Sequence, residues 1–231
     1  MLHHRFVGAI VCAALGVVAV PAAAQAGGLI NSLPPDGSWV VFKAKSELDL
    51  QGNLQSFDRE LKIASVGKQE VEGEPGRWIE LSTEFVGRKV LAKLLIAEKY
   101  LKADQNPFDH IAKAWMREGE NVVEIPENRL RQMIIFAFSV PTFEKPENKY
   151  KENIKTQLGE YECEHLKGEV EMDGPMDQKI KFSGELWTND KVPFGLVKAK
   201  VKGDIGVGSV ETEMEAIQSG KDAKSELPDA K

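Results

Sequence analysis

Cysteine is nearly absent from this chain of 231 residues: Cys12 and Cys163 are its two copies. Cys12 falls in an N-terminal segment that reads as a removable leader. The mature chain would keep one sulfur, and no internal disulfide could form. Stability then has to come from burial, and roughly two hundred residues suffice for one sizeable core. Histidine is as sparse. Past the leader only His110 and His165 remain, and neither Cys-x-x-Cys nor His-x-x-x-His spacing occurs, which removes the usual zinc frameworks. Positive charge is also in short supply: 30 Lys and Arg against 36 Asp and Glu give a net charge of −6. Loss of Arg5 with the leader would make it −7. A chain this acidic lacks the basic face that nucleic acid or an anionic bilayer requires. There is no internal repeat, no heptad run and no C-terminal aromatic of the kind that ends outer-membrane barrels.

The one long apolar run is N-terminal. Residues 1–5 carry Arg5 and no acid, residues 6–20 are small and apolar, and Pro21 and Ala24-Gln25-Ala26 follow. Basic start, short apolar core and small residues at −3 and −1 make the pattern of a secretory signal peptide, cleaved after Ala26. The run is too short for a permanent span; the rival reading is an uncleaved N-terminal anchor. Cys12 follows Ala9-Ile10-Val11 rather than a leucine-small-small sequence, which argues against lipid attachment there. The expected organisation is a signal peptide at 1–26, a single β-rich domain at 27–218 and a polar, disordered tail at 219–231. The protein is expected to be exported, periplasmic or secreted, with no membrane span after cleavage.

Alternation of apolar and polar residues dominates the domain. Val40, Phe42, Ala44 and Leu48 oppose Lys43, Lys45, Glu47 and Asp49; Phe57, Leu61 and Ile63 oppose Asp58, Glu60 and Lys62; Ile79, Leu81 and Phe85 oppose Glu80, Ser82 and Glu84. A period of two marks strands with one buried and one wet face, the habit of antiparallel sheets. Gly52-Asn53, Gly67 and residues 73–76 punctuate them as turns. In the second half Tyr161, Cys163 and His165 share a face, and the phase flips at Leu166, Val170 and Met172, which calls for a bulge near His165 and Leu166. Ile180, Phe182, Gly184 and Leu186 make the next strand. Val197, Ala199 and Val201 alternate with lysines, and Val210, Thr212, Met214 and Ala216 with glutamates. Paired as a hairpin, those two would set opposite charges against each other at roughly 0.2–1 kcal/mol per pair.

Helix signals are confined to the middle. Asn106-Pro107 is a capping side chain followed by proline at the first helical position. Phe108, Ile111, Ala112, Trp115 and Met116 then keep a helical stripe up to Gly119. A second helix is expected over residues 128–138. Residues 88–101 fit either a helix face or a doubly buried strand.

Chemistry-bearing residues are few. Cys163 and His165, two apart on a strand, leave from one face, so a thiolate–imidazole contact is geometrically open; a buried cysteine beside a covered histidine explains them equally. The glutamates mostly line wet strand faces. Asp104 and Asp109 suit a helix start. Gly206-Val207-Gly208 lacks the lysine of a phosphate cradle and reads as a hairpin turn. No catalytic, metal or cofactor residue is assigned, no cofactor is implied, and the chain does not read as an enzyme.

Two stretches carry a resemblance. Thr156-Gln157-Leu158-Gly159-Glu160-Tyr161-Glu162-Cys163-Glu164-His165 resembles a Thr-x-x-Gly-x-x-x-Cys-x-His strand motif of exported, uncharacterised bacterial proteins. Leu186-Trp187-Thr188-Asn189-Asp190-Lys191-Val192-Pro193-Phe194-Gly195-Leu196-Val197-Lys198 resembles their Trp-x-x-x-x-Val-Pro-Phe-Gly-x-Val-Lys hairpin. Leu33-Pro34-Pro35-Asp36-Gly37-Ser38-Trp39-Val40 is similar to their lead-in. The resemblance implies a sheet like that of periplasmic lipoprotein carriers, which hold acyl chains between a concave sheet and covering helices.

The expected fold is therefore α+β, mainly β: a strongly curved antiparallel sheet (half-barrel) with one to three short helices covering or flanking the concave face. Phe42, Phe182, Leu186 and Trp115 are the expected groove-lining residues. The leading functional expectation is an exported, non-enzymatic protein binding a hydrophobic ligand or a lipoprotein's acyl chain. The alternative is a structural or interaction module of the envelope with a filled core and a protein partner.

Overall fold

The computed structural model describes residues 28–85, 87–102, 105–118, 121–126, 141–143, 146–173, 179–206 and 208–227. The leader and the second expected helix, residues 128–138, lie outside them.

Alternation is realised as eleven strands: β1 (Trp39–Leu50), β2 (Asn53–Val71), β3 (Glu74–Phe85), β4 (Arg88–Ala97), β5 (Ile111–Glu118), β6 (Asn121–Glu124), β7 (Glu147–Lys155), β8 (Glu160–Asp173), β9 (Lys179–Thr188), β10 (Leu196–Asp204) and β11 (Gly208–Gly220). They form one antiparallel sheet in the order β6-β5-β4-β3-β2-β1-β11-β10-β9-β8-β7. Hairpin neighbours pair throughout, and the first strand meets the last along a central seam running from Trp39↔Gly220 to Leu50↔Gly208. The sheet thus has two wings, β1–β6 and β7–β11. It is not closed into a barrel: β6 and β7 stand at opposite ends of the order.

Each wing turns one face toward a shared core. On β1, Val40, Phe42 and Ala44 are buried while Lys43 and Lys45 are exposed. Leu61 and Ile63 of β2, Ile79 and Leu81 of β3, Leu94 of β4, Leu186 of β9, Ala199 of β10 and Met214 of β11 belong to the same cluster. We call this the inner face. Leu29 and Ile30 of the lead-in, Phe143, and Val192 and Phe194 of the β9–β10 connection complete it. Phe143 lies against Gly168 and Gly184, which face each other across β8 and β9. A Cβ at Gly168 would sit 2.6 Å from Phe143 Cγ, and one at Gly184 would sit 2.8 Å from Phe143 Cζ. Two glycines at one cross-strand position leave a shelf just deep enough for a ring.

The charge-matched hairpin forms as expected. Lys198, Lys200 and Lys202 of β10 stand opposite Glu215, Glu213 and Glu211 of β11. Glu213 Oε1 lies 2.7 Å from Lys198 Nζ and 3.6 Å from Lys200 Nζ. The Lys198 hydrogen bond leads the causes holding the Glu213 carboxyl below its usual range. Of residues 88–101, Arg88–Ala97 form a strand, β4, with Leu94 on the inner face and Leu91 and Leu95 buried on the other, and Glu98–Tyr100 form a 3-10 turn.

Four expectations need correction. The helix from Asn106 to Gly119 is not formed. Its cap is present, with Asn106 Oδ1 accepting from Phe108 N at 3.3 Å, but it starts only the single 3-10 turn Pro107–Asp109. Ile111–Glu118 is then a strand. β4 carries apolar side chains on both faces and needs a hydrogen-bonded neighbour, and that tertiary demand overrides the local period. The short helical turns are Glu98–Tyr100 and Pro107–Asp109. Gly67 is no turn: it marks a register shift inside β2 between Ser65 and Lys68. The phase flip at His165 is absorbed on the partner strand, where β7 shifts register between Asn148 and Tyr150. Finally, the described part of the expected tail is ordered. Ser219 and Gly220 finish β11, and the chain then runs across the other, outer face, where Ala223 N donates to Gly37 O at 2.9 Å.

Candidate functional site

Position by position, the inner face changes character along the strands. Its upper row is apolar: Leu166, Leu186, Ala199, Met214 and Ala44 are neighbours across β8, β9, β10, β11 and β1, and the row ends at Arg59 of β2. The next row contains Val201, Thr212 and Ser46. A third begins Val170, Phe182, Gly203, Val210, Leu48. Ile180, Phe182 and Val201 form a second buried cluster, flanked by partly buried Val170, Ile205 and Val210. Between the two clusters lies a polar band. Ser46 Oγ and Thr212 Oγ1 are buried 2.9 Å apart, and Arg59, opposite Ala44, is only 8% exposed. Burial draws the Arg59 guanidinium below its ordinary pKa. A guanidinium remains charged in proteins, a buried charge is costly unless paired, and Arg59 does have a partner within the fold.

The four residues proposed from sequence separate here. Phe42 and Leu186 are fully buried in the main core, and Phe182 is in the second cluster on the same face. Trp115 is on the opposite face, across from Lys93, with its ring 5.0 Å from that of Trp78. It shares no groove with the other three. Arg59, Ser46 and Thr212 were missed. Arg59 stands two residues from Phe57 and Leu61 in the alternating run, so its phase was the signal that it points inward.

Cys163 and His165 are both buried, yet they make no catalytic pair. The Cys163 thiol donates to Tyr161 O at 3.5 Å. Burial first, and Glu152 second, push its pKa up to about 11, so the sulfur stays protonated at neutral pH. Neither ring nitrogen of His165 has a hydrogen-bond partner. The imidazole instead lies flat on Trp187, centroids 4.7 Å apart and planes at 3°, and meets the edge of Tyr150 at 5.0 Å. Trp187 Nε1 donates to Glu152 Oε2 at 2.8 Å. Among the described residues no group of three or more His, Cys, Asp or Glu could hold a metal ion. No described helix is long and apolar enough to cross a membrane.

Surface clefts at the described residues include two rimmed by charged groups. One of about 490 Å³ touches Val170 and Phe182 but is rimmed by Glu169, Glu171, Lys181 and Lys202. Another, of about 420 Å³, lies among Lys151, Glu162, Glu164 and Asn189. At the top of the molecule, Arg77 ties the lead-in to the sheet. It donates to Pro34 O at 3.1 Å, Ser65 Oγ at 2.8 Å and Glu98 Oε1 at 2.7 Å.

No family model and no curated protein matches the chain. Solved structures do resemble it. A protein from Bacteroides fragilis, provisionally described as exported and with a YmcC-like fold, superposes with a TM-score of 0.41 at 11% identity, over 84% of this chain and 100% of that one. A provisional lipoprotein from Parabacteroides distasonis gives 0.42 at 11% identity, over 83% and 99%. A provisional outer membrane lipoprotein-sorting protein domain from Vibrio parahaemolyticus gives 0.27 at 11%, over 83% and 87%. Likenesses this distant place neither an activity nor a residue role on this chain.

Proposed function

We propose that the chain is an exported, non-enzymatic binding protein that holds a hydrophobic ligand, an acyl chain, on the inner face of its sheet. The observation that carries this is the second apolar cluster, Ile180, Phe182 and Val201 with partly buried Val170, Ile205 and Val210, which a surface cleft of about 490 Å³ meets at Val170 and Phe182. Export rests on the leader pattern of residues 1–26.

Native mass spectrometry of protein purified from its own host is the first test, and the expected result is a co-purifying lipid. Titration of the delipidated protein with a fluorescent fatty acid should then show binding that Phe182→Asp weakens about tenfold. The binding of an uncharged ester analogue should fall by as much. If no lipid co-purifies and neither probe binds, the proposal fails.

A second reading has its own support. Phe42 and Leu186 are fully buried, with Phe143 and Phe194 in the same cluster. A core so filled suits a structural or interaction module of the envelope. That reading expects a stoichiometric protein partner, with no lipid, in the same mass spectrum.

A further inference from the structure

The outer face of β3, β4 and β5 contains charged groups that the sheet itself does not need. Glu80 and Lys93 face each other across β3 and β4, at 4% and 1% exposure, with Trp115 beyond Lys93 on β5. A strand face in water would leave such side chains solvated. Here they are buried, and their polar atoms meet the chain's own residues 225–227.

Glu80 does most of the holding. Its carboxylate accepts from Ser225 Oγ, from Glu226 N at 2.9 Å and from Leu227 N at 3.1 Å. Cations take the complementary groups: Lys93 Nζ donates to Ser225 Oγ at 2.9 Å and to Leu227 O at 3.5 Å, and Arg117 Nη2 donates to Glu226 O at 2.6 Å. Lys89 pairs with the Glu226 side chain, and the Leu227 side chain is buried. The backbone is read at both its N–H and C=O groups, and each of three successive side chains is read as well. That division of labour, main chain for affinity and side chains for selection, is how peptide sites work. Residues 225–227 lie beyond the last strand, so releasing them breaks no ladder bond of the sheet.

We propose that this face is a recognition site for a short peptide bearing a hydroxyl–carboxylate–apolar step, and that Ser225-Glu226-Leu227 is its resident occupant in cis. A partner presenting the same step would compete with the tail for Glu80, Lys93 and Arg117. This site is on the opposite face from Phe182 and is independent of the ligand proposed there.

The test uses a labelled, C-terminally amidated peptide of residues 222–227, Asp-Ala-Lys-Ser-Glu-Leu, with the full chain. In a variant carrying Ser225→Ala and Leu227→Asp the cis occupant is weakened without touching the sheet. That variant should bind the peptide at least tenfold more tightly than the unaltered protein, and its Glu226 and Leu227 amides should exchange with solvent at least tenfold faster. Adding Arg117→Ala or Glu80→Gln to the variant should abolish peptide binding; Arg117, at the rim, serves if Glu80→Gln does not fold. Equal binding to both proteins, no binding to either, or binding indifferent to Arg117 would overturn the proposal. So would unfolding of the tail variant, which would make residues 225–227 a part of the fold rather than a ligand of it.

Discussion

The two wings finish their outer faces in opposite ways. On β3–β5 every buried polar group named above is answered: Glu80 has three donors, and Lys93 has acceptors and the Trp78 ring 5.1 Å away. On β7–β10 the corresponding position is an aromatic row, Tyr150, His165 and Trp187, with Lys198 over the last ring at 5.8 Å. There His165 is buried with both nitrogens unanswered, and Tyr150 at the end of the row is 56% exposed. The first wing meets the cost of buried charge with hydrogen bonds from a distant segment. The second stacks its rings, sets charges at their margin, with Glu185 Oε2 3.6 Å from His165 Nε2 and Glu152 on the Trp187 indole, and leaves the imidazole without a hydrogen bond. The two solutions should respond differently to the removal of a single group.

The largest difference should come from paired substitutions. Glu80→Ala removes the acceptor of the Ser225 hydroxyl and of the Glu226 and Leu227 amides; hydrogen bonds to a charged group contribute about 1.5–3 kcal/mol each, so the loss should be about 3 kcal/mol or more. His165→Phe removes two nitrogens that make no hydrogen bond, gives up the 3.6 Å approach to Glu185 and keeps a ring between Tyr150 and Trp187, so at pH 8, where the imidazole is neutral, it should stabilise by about 1 kcal/mol. Urea unfolding of both variants would show the opposite signs. If His165→Phe destabilised by more than 1 kcal/mol, the contact with Glu185 would outweigh the missing hydrogen bonds, and the contrast between wings would collapse. Next in size is Gly168→Val, which drives a branched side chain into Phe143. Overpacking of this kind costs about 1–3 kcal/mol, and the double variant Gly168→Val with Phe143→Ala should lose less than the sum of the singles.

What the sequence made legible follows the same division. Wherever a strand has one wet face, alternation exposed it: β1, β2, β3, β9 and the Lys/Glu hairpin of β10 and β11 could all be placed from residue types alone. β5 could not. Ile111, Ala112, Trp115 and Met116 satisfy a helical stripe as well as a strand, because Trp115 is apolar on the outer face and Met116 on the inner, and only pairing with β4 decides between them. The tail was equally opaque. Residues 221–227 are polar and charged, the composition of a disordered segment, and their order depends on Glu80 and Arg117, more than a hundred residues away in sequence. Phe42, Phe182 and Leu186, expected to line a groove, are buried in the two apolar clusters, and Arg59, which was missed, stands in phase with them. Trp115 was misplaced, because the helical reading assigned it to the wrong face.

The buried thiol of the second wing gives a pH-dependent contrast. Cys163 titrates near 11 in the folded chain against about 9 when exposed. Between those values the unfolded chain has lost its proton and the folded one keeps it, so stability should fall as pH rises from about 9 to about 11. Cys163→Ala should flatten that fall, and iodoacetamide at pH 7.5 should label the native thiol slowly and the unfolded one quickly. Fast native labelling would mean that the hairpin over Cys163 opens.

The smallest effect belongs inside the second wing, in the β10–β11 hairpin beside the seam. Lys200 and Lys198 both approach Glu213, but Lys200 Nζ is the farther at 3.6 Å, and its side chain is about half exposed. Solvent screens such a pair, and its removal should cost only about 0.2–1 kcal/mol. Lys200→Ala should therefore lose a few tenths of a kcal/mol, most of it gone in 1 M salt, where charges are screened within about 3 Å. A loss above 2 kcal/mol that survives salt would mean that charge holds the β10–β11 ladder of the second wing together. The glycine shelf and the apolar core would then be secondary there, and the second wing, like the first, would depend on charge.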